Sequence, residues 1–302
     1  MSTTNIVGYG QRRKAARFGR PLAYVFLVIL LLITILPFVW VMLSAFSTNN
    51  ALFAGEFDFT WLNFKRVLGF ASQEEILFAS GRENTAELNF LTALRNSVII
   101  ATTISIGQVF FSAMAAYAFA RLKFKGRDKI FLLYLSGMMI PPIIVLIPNA
   151  IFVRELGWSA SLTAIVAPFF LMTPFAVFFM RQFFLSVNRS IEEAAIVDGA
   201  GPFKIFTSIN LPLVRPQMIT LAVLTYVTAW NEFLWPFTVA PKAEEVQPLT
   251  VALREFNVQT PGGRPDWSGL LAATTIATLP VIFIFLIFGR RIVDSIRFTG
   301  VK

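Results

Sequence analysis

The 302-residue chain is 56% hydrophobic and 14% charged, with 33 phenylalanines, whereas a soluble domain carries about a quarter charged residues. It contains no cysteine and no histidine, which excludes thiol nucleophiles, disulfides, imidazole bases and the usual zinc or haem sites, and with them most enzyme classes. The net charge of +9 could suggest a nucleic-acid partner, but the cations sit beside long apolar blocks, so the expected partner of that charge is a lipid surface and no nucleic acid is expected.

Six apolar blocks stand at roughly 22–46, 96–120, 130–153, 161–180, 216–239 and 270–289. A helix rising 1.5 Å per residue needs about twenty residues to cross hydrocarbon about 30 Å thick. Runs such as Val25 to Ile35 do not alternate in polarity, as strands of a membrane barrel would. The predicted fold class is therefore an all-α integral membrane protein with six transmembrane helices.

In chain order, a basic segment at 1–21 with Arg12, Arg13, Lys14, Arg17 and Arg20 precedes the first helix, 22–46. That helix is longer than a signal-peptide core and ends without a small-residue cleavage site, so it is expected to be retained. The loop at 47–95 holds six acids, is too long and polar for a tight turn, and should fold against the outer mouth. The core at 96–289 supplies five more helices. Within it Arg121, Lys123, Lys125, Arg127 and Lys129 fill a short basic loop, and Pro141, Pro142, Pro148, Pro168 and Pro174 interrupt the third and fourth blocks. Lipid permits such breaks where neighbouring groups satisfy the freed carbonyls.

Residues from about Ala240 to Ser268, with Pro261, Gly262, Gly263, Arg264 and Pro265 at the expected tip, read as a protruding external arm. The tail at 290–302 is basic again. This alternation puts 18 of the 26 Lys and Arg residues on one side, and the positive-inside rule makes that side, with both termini, cytoplasmic.

The stretch 188–216 is too polar to span yet rich in helix signals. Ser190-Ile191-Glu192-Glu193 has capping-box spacing, predicting a short helix that starts at Ser190. Gly199 and Gly201 can end it, and Pro202 suits the first turn of a second short helix through Phe206. Small residues at Ala194, Ala195, Gly199 and Ala200 allow close approach by another backbone. From spacing alone Glu193 either caps its own helix or presents a charge to a docked partner.

Glu193-Ala194-Ala195, Asp198-Gly199-Ala200, Phe206, Ile209, Leu211-Pro212 and Pro216 resemble the EAA loop of ABC importer permeases. Further stretches resemble the carbohydrate-uptake, maltose-type branch, in particular its smaller permease subunit: Asn96-Ser97, Ala115 to Arg121, Phe124 to Arg127, Met139-Ile140-Pro141, Trp230 to Phe233 and Gly300-Val301-Lys302. Val187-Asn188 departs from the usual Ile-Pro pair, and Arg290, Arg291 and Asp294 depart from the usual tail.

The resemblance implies the type I permease fold of ABC importers in a bacterial cytoplasmic (inner) membrane, with the loop at 188–216 as a coupling helix seated in a cleft of the ATP-hydrolysing subunit. Glu193, Ala194, Ala195, Asp198, Gly199 and Ala200 would form that contact. It also implies a heterodimer with a homologous permease, two ATPase subunits, and an extracytoplasmic solute-binding protein. The arm near Gly262, Gly263 and Arg264 would reach that binding protein.

No G-x-x-x-x-G-K-[ST] loop occurs, so the chain has no phosphate cradle of that kind. No cofactor or metal is expected on it, ATP and Mg belonging to the partner ATPases. Polar residues within the apolar blocks, Gln108, Trp230, Asn231 and Glu232, are the candidates for a solute pathway, since sugars are met by hydrogen-bonding groups beside aromatic faces. Successive helical positions point apart, so the last three cannot all face one cavity. An importer of another solute shares the EAA loop and stays open. An ion-coupled carrier would need buried acids, of which Glu232 is the obvious one within the blocks.

Overall fold

A computed structural model describes residues 8–81, 89–258 and 265–297 of the chain. Helix α1 (Gly8–Ser44) runs from the basic segment through an apolar span at 21–44 with large side chains exposed along its whole length. Three short helices follow, α2 (Asn49–Ala54), α3 (Leu62–Val67) and α4 (Gln73–Ser80). The long α5 (Phe90–Arg121) is the axis of the bundle, with one side buried from Phe90 to Ala120. Its buried face is largely Ala, Ser and Gly, which lets neighbouring helices approach closely.

The third block folds as α6 (Arg127–Ser136) and α7 (Pro142–Glu155), joined by a 3₁₀ turn at 137–139 and bent by 97°. Pro142 opens α7 at its first position, where the missing N–H costs nothing. The fourth block is α8 (Leu162–Phe170) and α9 (Pro174–Ser186), again restarted by a proline and capped by Thr173. Beyond it lie α10 (Arg189–Val197), α11 (Pro202–Ile205), a π-helical turn at 206–210, and α12 (Leu211–Leu213).

The fifth block holds a sixteen-residue helix, α13 (Arg215–Trp230), a break at 231–233 and α14 (Leu234–Val239). The arm begins with α15 (Leu249–Val258), and α16 (Trp267–Arg297) completes the described chain. Four helical stretches are long and apolar enough to cross a membrane, five if the bent pair counts as one. The expected fifth block is not among them, because its helix stops at Trp230.

Helix α5 packs against α13, α9 and α8, and α13 packs against α16. At Gly107 the approach is so close that a Cβ would lie 2.4 Å from the Phe170 ring. The loop after α1 folds against the start of α16. There Arg66 and Asp266 form a buried two-armed ion pair at 2.7 and 3.0 Å, and Asp266 also accepts from the Gly269 amide. Asn49 donates to the Ser80 and Pro265 carbonyls and accepts from the Trp267 amide, while Asn63 donates to the Ala45 and Ser47 carbonyls.

In the same loop Ser72 and Glu75 form a reciprocal capping box at the start of α4. Lys65 bonds the Glu75 carboxylate, and with the Ser72 amide it holds that carboxyl below its usual pKa.

Candidate functional site

Two places gather the residues singled out by sequence: the loop from α10 to α12, and a cavity between α5, α8, α9 and α13.

Helix α10 starts one turn phase earlier than the Ser190 reading. Its cap is Asn188, whose side chain accepts from the Ser190 amide at 3.1 Å, and Ser190 lies inside the helix. The Ser190–Glu193 capping box is therefore absent, because a better-placed asparagine supplies the cap two residues upstream. The shift decides which glutamate faces inward. Glu193 is largely exposed, with only Arg189 near it at 4.0 Å, the span of one helical turn. Glu192 and Ala195, three residues apart on one face, are buried.

Glu192 meets Arg121, the last residue of α5, at 3.0 Å with both side chains under a tenth exposed. This is a close ion pair rather than an aligned hydrogen bond. The Arg121 guanidinium also donates to the carbonyls of Phe184 and Val187 at the end of α9, where a helix leaves its last carbonyls without partners. One turn earlier on α5, the Tyr117 hydroxyl reaches the Pro202 carbonyl at 3.4 Å, and its ring packs on Phe206 and Phe184.

The bend after α10 is made by Asp198 as the capping residue and Gly199 at φ +79°, a conformation that costs other residues dearly. The Ala200 amide returns to the Ala195 carbonyl, closing the helix end. Gly201 then caps α11, with Pro202 at its first position. The outward side is apolar: Ile196 is 60%, Phe203 70% and Val197 88% exposed. Ala194 is exposed beside them.

The cavity, about 440 Å³, is lined mainly by apolar groups, with Gln108, Thr173, Thr225, Thr228 and Glu232 as its polar members. Gln108 donates to the Thr173 hydroxyl at 2.7 Å. Glu232 accepts from the Trp235 amide across the break between α13 and α14. Trp230 is buried elsewhere, stacked on Tyr226. Asn231 is exposed and donates to the Val227 carbonyl. The cavity thus brings Gln108 and Glu232 together and leaves Trp230 and Asn231 out.

Gly262, Gly263 and Arg264 lie outside the described residues. The base of their arm is tied to α5: Asn96 donates to the Glu245 and Gln247 carbonyls, and the Ser97 hydroxyl accepts from the Leu249 amide. Sequence reasoning treated Asn96-Ser97 as a motif without a role, and missed Arg121 and Glu192 altogether. The signal available was the position of Glu192 one helical face away from Glu193.

Comparison with known proteins gives a consistent account. Residues 108–298 match the family of binding-protein-dependent transport system inner membrane components. The chain is 30% identical over 293 residues to a probable ABC transporter permease, YurM, of Bacillus subtilis, covering 96% of this chain and 91% of that protein. It is also 30% identical over 281 residues to the trehalose/maltose transport system permease MalG of Thermococcus litoralis, covering 91% and 94%.

Among solved structures, a bacterial alginate ABC transporter in complex with an alginate-bound periplasmic protein shares the fold, with TM-score 0.61 at 16% identity over 91% of this chain and 94% of that one. The chain belongs to the inner-membrane permeases of binding-protein-dependent ABC transport systems, and it is a transport subunit rather than an enzyme.

Proposed function

We propose that this chain is one permease half of a carbohydrate importer, crossing the membrane six times with both termini in the cytoplasm. The third crossing is the bent pair α6–α7 and the fifth is α13 with α14. It pairs with a homologous permease. Two ATPase subunits bind ATP and Mg and dock on the loop 188–216, and a solute-binding protein delivers the solute from outside.

The observation that carries the docking assignment is the uncovered apolar side of α10 and α11, where Ile196, Val197 and Phe203 stand clear of the bundle. Contiguous exposed apolar side chains on a loop otherwise tied down mark a partner surface. Glu193 stands at its edge, free to meet a cation. The relatives named for trehalose/maltose and for arabinooligosaccharides favour a carbohydrate. A relative in Yersinia pestis is named for sn-glycerol-3-phosphate, but no Lys or Arg lines the cavity of this chain, which favours an uncharged solute.

The deciding experiment expresses the chain with its companion subunits and measures ATPase copurification and solute-stimulated hydrolysis. Glu193→Lys is expected to insert normally and to lose both, whereas Glu193→Gln is milder. Deleting Gly262 to Arg264 should leave ATPase association intact while lowering hydrolysis stimulated by the binding protein. Wild-type values in Glu193→Lys remove the docking assignment. Single cysteines at Ser72 and Ser190 in this cysteine-free chain should react from opposite sides of the membrane; labelling from one side overturns the orientation.

A further inference from the structure

Glu193 and the apolar residues around it explain how a partner would dock, but not how its movement would reach the solute path. Among the described residues, two polar contacts join α10 and α11 to the long helices: Glu192 to Arg121, and the Pro202 carbonyl to Tyr117. Both end on the last turn of α5. The Arg121 guanidinium simultaneously holds the Phe184 and Val187 carbonyls, so the end of α9 is clamped to the same point.

A buried ion pair is a poor device for stability alone, because removing two charges from water offsets much of their attraction. Its geometry here is also not the best available to an arginine, since Glu192 meets the Nε edge without an aligned hydrogen bond, where a two-armed pairing would hold more tightly. What the pair does supply is a unique position for α10 relative to α5. Apolar packing of Ala195 and Phe206 alone could slide; a charge pair cannot without exposing one charge unpaired.

Helix α5 is then the natural receiver of any displacement of α10. It is one continuous helix from Phe90 to Arg121, packed along its length on α13, α9 and α8. Gln108, which lines the cavity, lies on it about 20 Å from Arg121 at 1.5 Å per residue. The same helix carries Asn96 and Ser97, which hold the base of the arm.

Resting on the permease reading above, we infer that Arg121 and Glu192 are the positioning pair that transmits coupling-loop movement into α5, distinct from the residues that dock the ATPase. Docking and transmission therefore sit on opposite faces of α10, at adjacent residues Glu193 and Glu192.

The test uses the assembled transporter in liposomes, with Glu192→Gln, Arg121→Gln and the double variant, measuring ATPase copurification, ATP hydrolysis and solute uptake. The expected result is retained copurification, with solute moved per ATP reduced at least tenfold in each single variant and no further in the double variant, as for residues that act as one unit. A second readout places a cysteine at Met114, on the partly exposed side of α5. Its rate of modification should change on adding ATP when the pair is intact, and not in Glu192→Gln.

Unchanged uptake per ATP overturns the inference. So does a proportional loss of copurification, hydrolysis and uptake with a lowered melting temperature, which would make the pair a support of the fold. A wild-type chain that captures no ATPase removes the permease reading, and the inference with it.

Discussion

Each end of the bundle carries a buried arginine–carboxylate pair, and the two are built to different ends. Arg66 and Asp266 meet with both arms of the guanidinium, and Asp266 also takes the Gly269 amide at the start of α16. The surrounding Asn49 and Asn63 tie the loop after α1 to carbonyls and amides of its own neighbourhood. Arg121 and Glu192 meet by one edge, and the helix they position turns an apolar side outward. The first pair closes a structure on itself. The second leaves half an interface, which is what a subunit that must be moved by another requires.

This difference can be broken experimentally, and the largest stability effect is expected at the closed end. Asp266→Asn leaves Arg66 charged and without its carboxylate, so it should cost about 3–5 kcal/mol and lower the melting temperature in detergent. A loss no larger than that of Glu192→Gln would erase the distinction. Gly107→Ala comes next, because the new methyl would fall within 2.4 Å of Phe170, against backbone as well as ring; overpacking of about 1–3 kcal/mol is expected, read by the same melting curve and by the loss of monodisperse protein.

A smaller effect belongs to Glu75. Its carboxyl is held low chiefly by the Lys65 hydrogen bond and then by the Ser72 amide, so the folded state binds that proton less readily than the unfolded state does. The stabilisation is present at neutral pH and fades as pH falls below the ordinary value of 4.5 towards the depressed one. Glu75→Gln should flatten the acid side of a melting-temperature profile and leave the neutral side nearly unchanged; identical acid slopes would discard this contribution.

The smallest stability effect, within about 0.5 kcal/mol, is expected for Val197→Asp, since that side chain is 88% exposed. The same change should abolish ATPase copurification. Retained copurification would mean that the open side of α10 is not an interface.

Much of this was legible in the sequence, for physical reasons that can be named. Apolar blocks follow from the cost of polar groups in lipid, so the spans at 21–44, 90–121, 162–186 and 267–290 stand close to where composition put them. Pro142 and Pro174 marked helix restarts because a proline lacks the N–H that a helix interior needs. Proline spacing does not encode the size of a bend, and the 97° turn before α7 was invisible. So was the break at 231–233, where nothing but Asn231 and Glu232 interrupts the apolar run.

The site was harder. The signature Ser-x-x-Glu occurs at Ser72 and at Ser190, and only the first is a capping box. The difference is Asn188, which competes for the cap and changes the phase of the helix by two residues, enough to move Glu192 inside and Glu193 outside. The partner of Glu192 is far away in sequence, and no local pattern announces it.

The π turn at 206–210 bears on how this loop tolerates change. A π turn closes its hydrogen bonds one residue further along than an α turn does, so it stores an extra residue between α11 and α12. Asn210, fully buried at its end, has a side-chain oxygen without a hydrogen-bond partner, a sign that the geometry is held rather than relaxed. A one-residue deletion elsewhere in 189–213 must rotate everything downstream by about 100°. A deletion within the turn has another outlet, because an α turn can take its place and return α13 to its register. Homologous chains shorter by one residue in this loop can therefore keep the same membrane helices facing the same neighbours.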